Sequence, residues 1–102
     1  MATPPLHHVI LFRLRGGVTL DRVRNAREAL ADLVETMPGV LHLTVGDNLA
    51  SQNGGFTLAL FASFENRPAF EVCTRHPEWR RVFQEFIDPI VAERIVAETE
   101  AS

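Results

Sequence analysis

The stretch GFTLALFASF, residues 55–64, constrains the fold more than any other part of the chain. As a strand it places Phe56, Leu58, Leu60, Ala62 and Phe64 on one side and Thr57, Ala59, Phe61 and Ser63 on the other. Both sides are largely apolar, so the strand must be covered on both. A chain of 102 residues supports a single domain and buries roughly two-thirds of its unfolded surface, enough for one core. One helical layer covers one face of a small sheet. The second face needs another partner.

The neighbouring segments supply that sheet and layer. HVILFRLR (8–15) alternates, with His8, Ile10, Phe12 and Leu14 opposite Val9, Leu11, Arg13 and Arg15, and Gly16-Gly17 stops it. Thr19 reads as an N-cap, with Asp21 in the first turn where the helix dipole favours it. Val23, Ala26, Leu30, Leu33, Val34 and Met37 then recur at three- and four-residue steps, one apolar helical stripe that Pro38-Gly39 ends. VLHLTVGDN (40–48) alternates again, Leu41, Leu43 and Val45 against Val40, His42 and Thr44. SQNGG is a loop.

After the 55–64 strand, Asn66 caps a short helix with Pro68 in its first turn, carrying Phe70 and Cys73. In RHPEWRRVF (75–83) the residue before Pro77 is driven out of the α region, so that helix ends near Arg75. Pro77 opens a second helix, with Trp79, Val82, Phe83, Phe86 and Ile87 as its stripe. A last strand of about 92–98 uses AERIVAE. The order β-α-β-β-α-(α)-β is the ferredoxin-like α+β arrangement, an antiparallel four-stranded sheet with helices on one face. The bare face, with Val9, Leu11, Val40, Ala59 and Phe61, is too apolar for water, which predicts a homodimer.

Composition excludes several kinds of function. All ten basic residues are arginine, so no lysine is present for Schiff-base chemistry. A net charge of −3 with scattered arginines argues against a nucleic-acid partner. The apolar runs are too short to span a membrane, and MATPPLHH has no export signature. A lone Cys73 suits a reducing, cytoplasmic setting. His7, His8, His42 and His76 lack the spacing of a metal site, so no metal is expected.

Three landmarks in order resemble the stress-responsive dimeric α/β-barrel (Dabb) family: HVILFRLR, MPGVLHLTVGDN and CTRHPEW. The similarity spans residues 8–99, with 1–7 and 100–102 as tails. It implies two subunits paired sheet to sheet into a homodimeric α/β barrel, each keeping a pocket between its sheet and helices. Some members are polyketide cyclases that use no metal or organic cofactor. Their acid–base pair is a Tyr and the last His of a His-Pro-x-His motif. Here Cys73 and Trp79 occupy those positions, and the chain has no tyrosine. An indole donates one hydrogen bond and cannot take a proton, so that pair is not in use.

Three side chains remain as candidate catalytic groups. His8, on the face of Ile10 and Phe12, suits proton abstraction near neutral pH, or is a strand-end histidine bonded to backbone or water. His76 either serves the site or caps the helix that follows. Cys73 is a potential thiolate or a small buried hydrophobe. Arg75, Arg80 and Arg81 either hold an anion at the pocket mouth or form a solvated face paired with Glu78 and Glu85. Ile10, Phe12, Phe56, Leu58, Trp79 and Phe83 are expected to line a substrate pocket, with Trp79 narrowing it. These features suit a cofactor-independent cyclase or other acid–base catalyst for a small apolar, polyketide-like molecule. A non-catalytic binding or stress protein, or a relative of the cofactor-free monooxygenases, is the alternative.

Overall fold

The computed structural model describes residues 3–100. The chain runs β1 (Leu6–Leu14), α1 (Leu20–Glu35), β2 (Val40–Asp47), β3 (Leu58–Phe64), α2 (Arg67–Arg75), α3 (Pro77–Val82) and β4 (Val91–Glu100). The strands form one antiparallel sheet in the order β2-β3-β1-β4, the expected ferredoxin-like topology. No helix among the described residues is long and apolar enough to cross a membrane.

Local chemistry sets the helix starts. The Thr19 side chain accepts from the Arg22 amide at 3.2 Å, and Asn66 accepts from the Ala69 amide at 2.9 Å. His76 is extended, as the residue before a proline should be, and its Nδ1 accepts from the Glu78 amide at 3.1 Å. Beyond Val82 the helix widens into a π-type turn at Phe83–Ile87, and Asp88–Ile90 adds one 3-10 turn before β4. Between α1 and β2, Gly39 has φ +93°, and a Cβ there would lie 2.9 Å from the Ala69 Cβ. Glycine is required twice over at this point, for the backbone conformation and for the approach of α2.

The core lies between the sheet's inner face and the helices. Leu6, Ile10 and Phe12 of β1 and Leu58, Leu60, Ala62 and Phe64 of β3 meet Ala26, Leu30 and Leu33 of α1 and Trp79, Val82 and Ile87 of the second arm. Trp79 is only 6% exposed, stacked on Phe83 at 5.3 Å and 6.0 Å from Phe64. On the outer face Val9, Leu11, Ala59, Phe61 and Ile95 have no helix over them, and Phe61 and Ile95 remain 39% and 50% exposed.

Several boundaries differ from the sequence reading. A bulge between Val40 and His42 omits Leu41 from the β2–β3 register. Val40 therefore packs against the core and Leu41 is exposed, reversing the sides that simple alternation assigns them. β3 starts at Leu58 because residues 53–57 are held in a turn, where the Asn48 side-chain amide donates to the Phe56 carbonyl at 2.8 Å. β1 begins at Leu6 and β4 continues to Glu100, so the strands take in residues 6, 7 and 100 of the tails expected at 1–7 and 100–102. Residues 1, 2, 101 and 102 of those tails lie outside the described residues.

Two substitutions test this packing by urea unfolding. Trp79→Ala should cost about 3–5 kcal/mol, the usual range for truncating a buried aromatic side chain. Gly39→Ala should cost about 1–3 kcal/mol, since it forces a Cβ into a left-handed backbone position already in contact with α2.

Candidate functional site

His8 occupies the inner face of β1, opposite Ala62 on β3 and Glu98 on β4. It is 7% exposed, and its ring lies 5.1 Å from that of Phe70 on α2. Its Nδ1 lies 3.5 Å from Glu98 Oε1, an ion-pair distance if the ring is charged but too long for a good hydrogen bond. This nitrogen is a buried side-chain atom without a hydrogen-bond partner among the described residues. Such groups are uncommon in folded proteins and call for an explanation. Glu98 is partly exposed, and its other oxygen lies 3.9 Å from Arg67 Nη1 on α2. The same guanidinium reaches Glu100 at 3.4 Å. A buried imidazole thus backs onto a partly exposed carboxylate that also faces an arginine.

Burial lowers the His8 pKa below the ordinary histidine value of 6.5, against the smaller opposing pull of Glu98. His8 is therefore neutral at pH 7, the form a general base requires. With the carboxylate facing Nδ1, the proton of the neutral ring belongs there and the free lone pair on Nε2. Glu98 then orients the ring and steadies the imidazolium that forms when Nε2 takes a proton.

The other sequence candidates are not joined to this pair. Cys73 is buried, its thiol donating to the Pro38 carbonyl at 3.4 Å, and burial pushes its pKa up, away from a reactive thiolate. His76 is exposed and occupied as the cap of α3. Arg81 is taken up by Glu78 and Glu85, each at 3.1 Å, so this part of the arginine cluster is a paired surface. His42 lies on the outer face beside Phe61, at 6.2 Å. No group of three or more potential metal-ligating side chains occurs among the described residues.

The expected pocket wall is different in kind from what the packing provides. Ile10, Phe12, Leu58 and Trp79 are buried as core, and Phe83 is half-buried against Trp79. Phe56 lies in the turn before β3, with the Arg13 guanidinium 5.4 Å from its ring centre. Two larger grooves lie elsewhere. One of about 560 Å³ runs between α1 and β2, floored by Val23, Leu43 and Val45, and one of about 420 Å³ runs between α1 and α3. Neither is lined by His8. What lies open beside His8 is β4: Val96, paired with Ile10 across the inner face, is 47% exposed. Glu98 and Arg67 were not found by sequence reasoning. The available signal was that Arg94, Glu98 and Glu100 share one face of ERIVAETE, which becomes informative once β4 is known to pair with β1.

The sign of the His8 effect on stability is fixed by its lowered pKa. Below 6.5 the unfolded chain takes up a proton that the folded chain resists, so stability is full at neutral pH and falls as the medium is acidified through this range. The loss levels off once the pH is below the folded-state value. In urea melts between pH 7.5 and 5, His8→Phe should show a shallower decline than the unmodified protein.

The fold recurs in known structures. A dimeric ferredoxin-like protein of unknown function from Thermobifida fusca superposes with a TM-score of 0.85 at 25% identity, over 97% of this chain and 92% of that one. A hydroxynitrile lyase from Passiflora edulis gives 0.87 at 16% identity, covering 97% and 94%. A Dabb family protein from Mesorhizobium loti gives 0.84 at 12%, covering 98% and 99%. No curated protein matches the chain. The profile of the stress responsive A/B barrel domain matches residues 6–101, nearly the whole sequence, and the chain belongs to this family, Dabb.

Proposed function

We propose that the protein is a homodimer that uses His8, backed by Glu98, as a general base on a small apolar molecule bearing carbonyl groups, of the polyketide kind. The observation that carries this reading is the buried, neutral His8 with its carboxylate partner. The Nε2 lone pair would remove a proton from the carbon between two carbonyls, and Glu98 would hold the imidazolium. The enolate then attacks a second carbonyl of the same molecule, forming the ring C–C bond. His8 returns its proton to the new alkoxide. Proton transfer and positioning suffice, and the chain's own groups supply both. The half-exposed Val96 offers an apolar floor next to the base. A hydroxynitrile lyase with this fold supports the idea that the scaffold accommodates catalysis.

A second reading, a binding or stress protein without turnover, is favoured by a different observation. The positions of the family's Tyr and His hold Cys73 and Trp79, and both are buried in the core. The dimer is supported by the uncovered apolar outer face and by neighbours described as dimeric.

The two readings separate in one experiment with a defined probe. Retro-aldol cleavage of 4-hydroxy-4-phenylbutan-2-one to benzaldehyde and acetone needs only a positioned base and can be followed by absorbance. The acid–base reading expects cleavage above buffer rate that His8→Ala reduces at least about a hundredfold, the usual contribution of a positioned base. Saturable binding of the probe with no cleavage supports the binding reading instead. Light scattering at micromolar concentration should give twice the chain mass, and a monomer would remove the dimer from both readings.

A further inference from the structure

The strand register places four polar side chains in one row across the outer face of the sheet. Thr99 of β4 lies opposite His7 of β1, His7 opposite Ser63 of β3, and Ser63 opposite His42 of β2. His7 Nδ1 lies 2.8 Å from the Ser63 hydroxyl oxygen, and both imidazoles pack on Phe61, at 5.6 Å for His7 and 6.2 Å for His42. The next rows of this face bring Val9, Phe61 and Ala97, then Leu11, Ala59 and Ile95. Arg13 closes its far end, paired with Glu93. The two histidines therefore stand at the border of the apolar surface that calls for a second copy.

We propose that this row makes the dimer sensitive to pH: two copies hold together while His7 and His42 are neutral and separate when these rings take up protons. This control rests on the dimeric reading above. Histidine is the side chain whose ordinary pKa, about 6.5, has it change charge between pH 5 and 8. In a single copy water reaches both rings, since His42 is exposed and His7 half-buried. Covering the face withdraws that water, and a charged ring left there without a partner is costly.

No neighbouring group offsets that cost. Among the described residues no carboxylate lies within ion-pair distance of either ring, whereas His8 on the opposite face has Glu98. β3 and β4 meet the row with the hydroxyls of Ser63 and Thr99, and β1 and β2 with the rings themselves. Glu65, one step beyond Ser63 on the same side, is exposed, so solvent screens its pull. Arg13, at the far end, is engaged by Glu93. The dimer thus binds these protons less readily than separated copies do. Association is full above the histidine range and falls as the pH drops through it. Two rings per copy give four in the dimer, and their like charges add repulsion.

Sedimentation velocity at constant ionic strength reads this directly. Between pH 7.5 and 5.5 the dissociation constant of the dimer should rise at least about tenfold, the effect of one linked proton over one pH unit, while circular dichroism shows the chain still folded. His7→Asn combined with His42→Gln keeps neutral hydrogen-bonding groups and leaves His8 in place. In that double variant the rise should shrink to less than about threefold. His42→Gln alone, at an exposed position, should retain the dimer and lose about half of the logarithmic rise. This single variant decides the matter where the double variant fails to fold or associate. A dimer whose dissociation constant ignores pH, or changes equally in these variants, overturns the pH control and leaves the dimeric reading standing. Dissociation that accompanies unfolding, equal in the variants, does the same. A monomer at pH 7.5 overturns both.

Discussion

β3 sends Leu58, Leu60, Ala62 and Phe64 toward the helices and Ala59 and Phe61 away from them, and it lies inside the sheet between β2 and β1. No arrangement of a chain this short hides both sides of such a strand. The helices cover the inner side, and burial there at about 25 cal/mol per Å² of apolar surface holds the monomer together. The same apolar surface on the outer side works against an isolated chain in water. The requirement that organises the fold is thus the one that calls for a second copy.

How the inner side is filled decides where chemistry can occur. Trp79 is stacked on Phe83 and close to Phe64, which is in edge contact with Phe70 at 5.1 Å. With the Cys73 thiol turned onto the Pro38 carbonyl, these groups occupy the space between the sheet and the second helical arm. The only buried polar side chains of the described residues are His8 and Ser63, and Ser63 is satisfied by His7 at 2.8 Å. The Nδ1 of His8 has no hydrogen-bond partner among the described residues and faces Glu98 at 3.5 Å. Its burial on the inner face of β1 lowers its pKa and keeps it neutral at pH 7.

Local signals in the sequence were sufficient for the helices. The α1 stripe, the caps at Thr19 and Asn66 and the break at His76-Pro77 all depend on residues within a few positions of one another, and all appear where expected. The Trp79 position followed from its spacing to Val82 and Phe83. What was not legible depends on pairing between distant segments. Nothing local marks the bulge that turns Leu41 out, because it is set by how β2 lies along β3. The partner of His8 is ninety residues away, and Glu98 becomes its neighbour only through the β1–β4 register. The space around Ile10, Phe12 and Leu58 was not legible for a related reason. Alternation shows which side chains face inward, but the volume left among them depends on how closely the helices pack, and here these three and Trp79 are all buried.

The charges around β4 complete this picture. Arg13 pairs with Glu93, Arg94 with Asp88, and Arg67 with Glu98 and Glu100, so this edge is ringed with ion pairs around an apolar centre at Ile95 and Val96. Exposed pairs of this kind contribute little to folding, about 0–1 kcal/mol each. Two influences oppose each other at His8: burial disfavours the charged imidazole, and the neighbouring Glu98 favours it. Any closure over β4 that expels water strengthens both influences, because charge–charge attraction and desolvation cost rise together in a lower dielectric. The basicity of His8 is therefore set by the balance between its burial and the nearby Glu98.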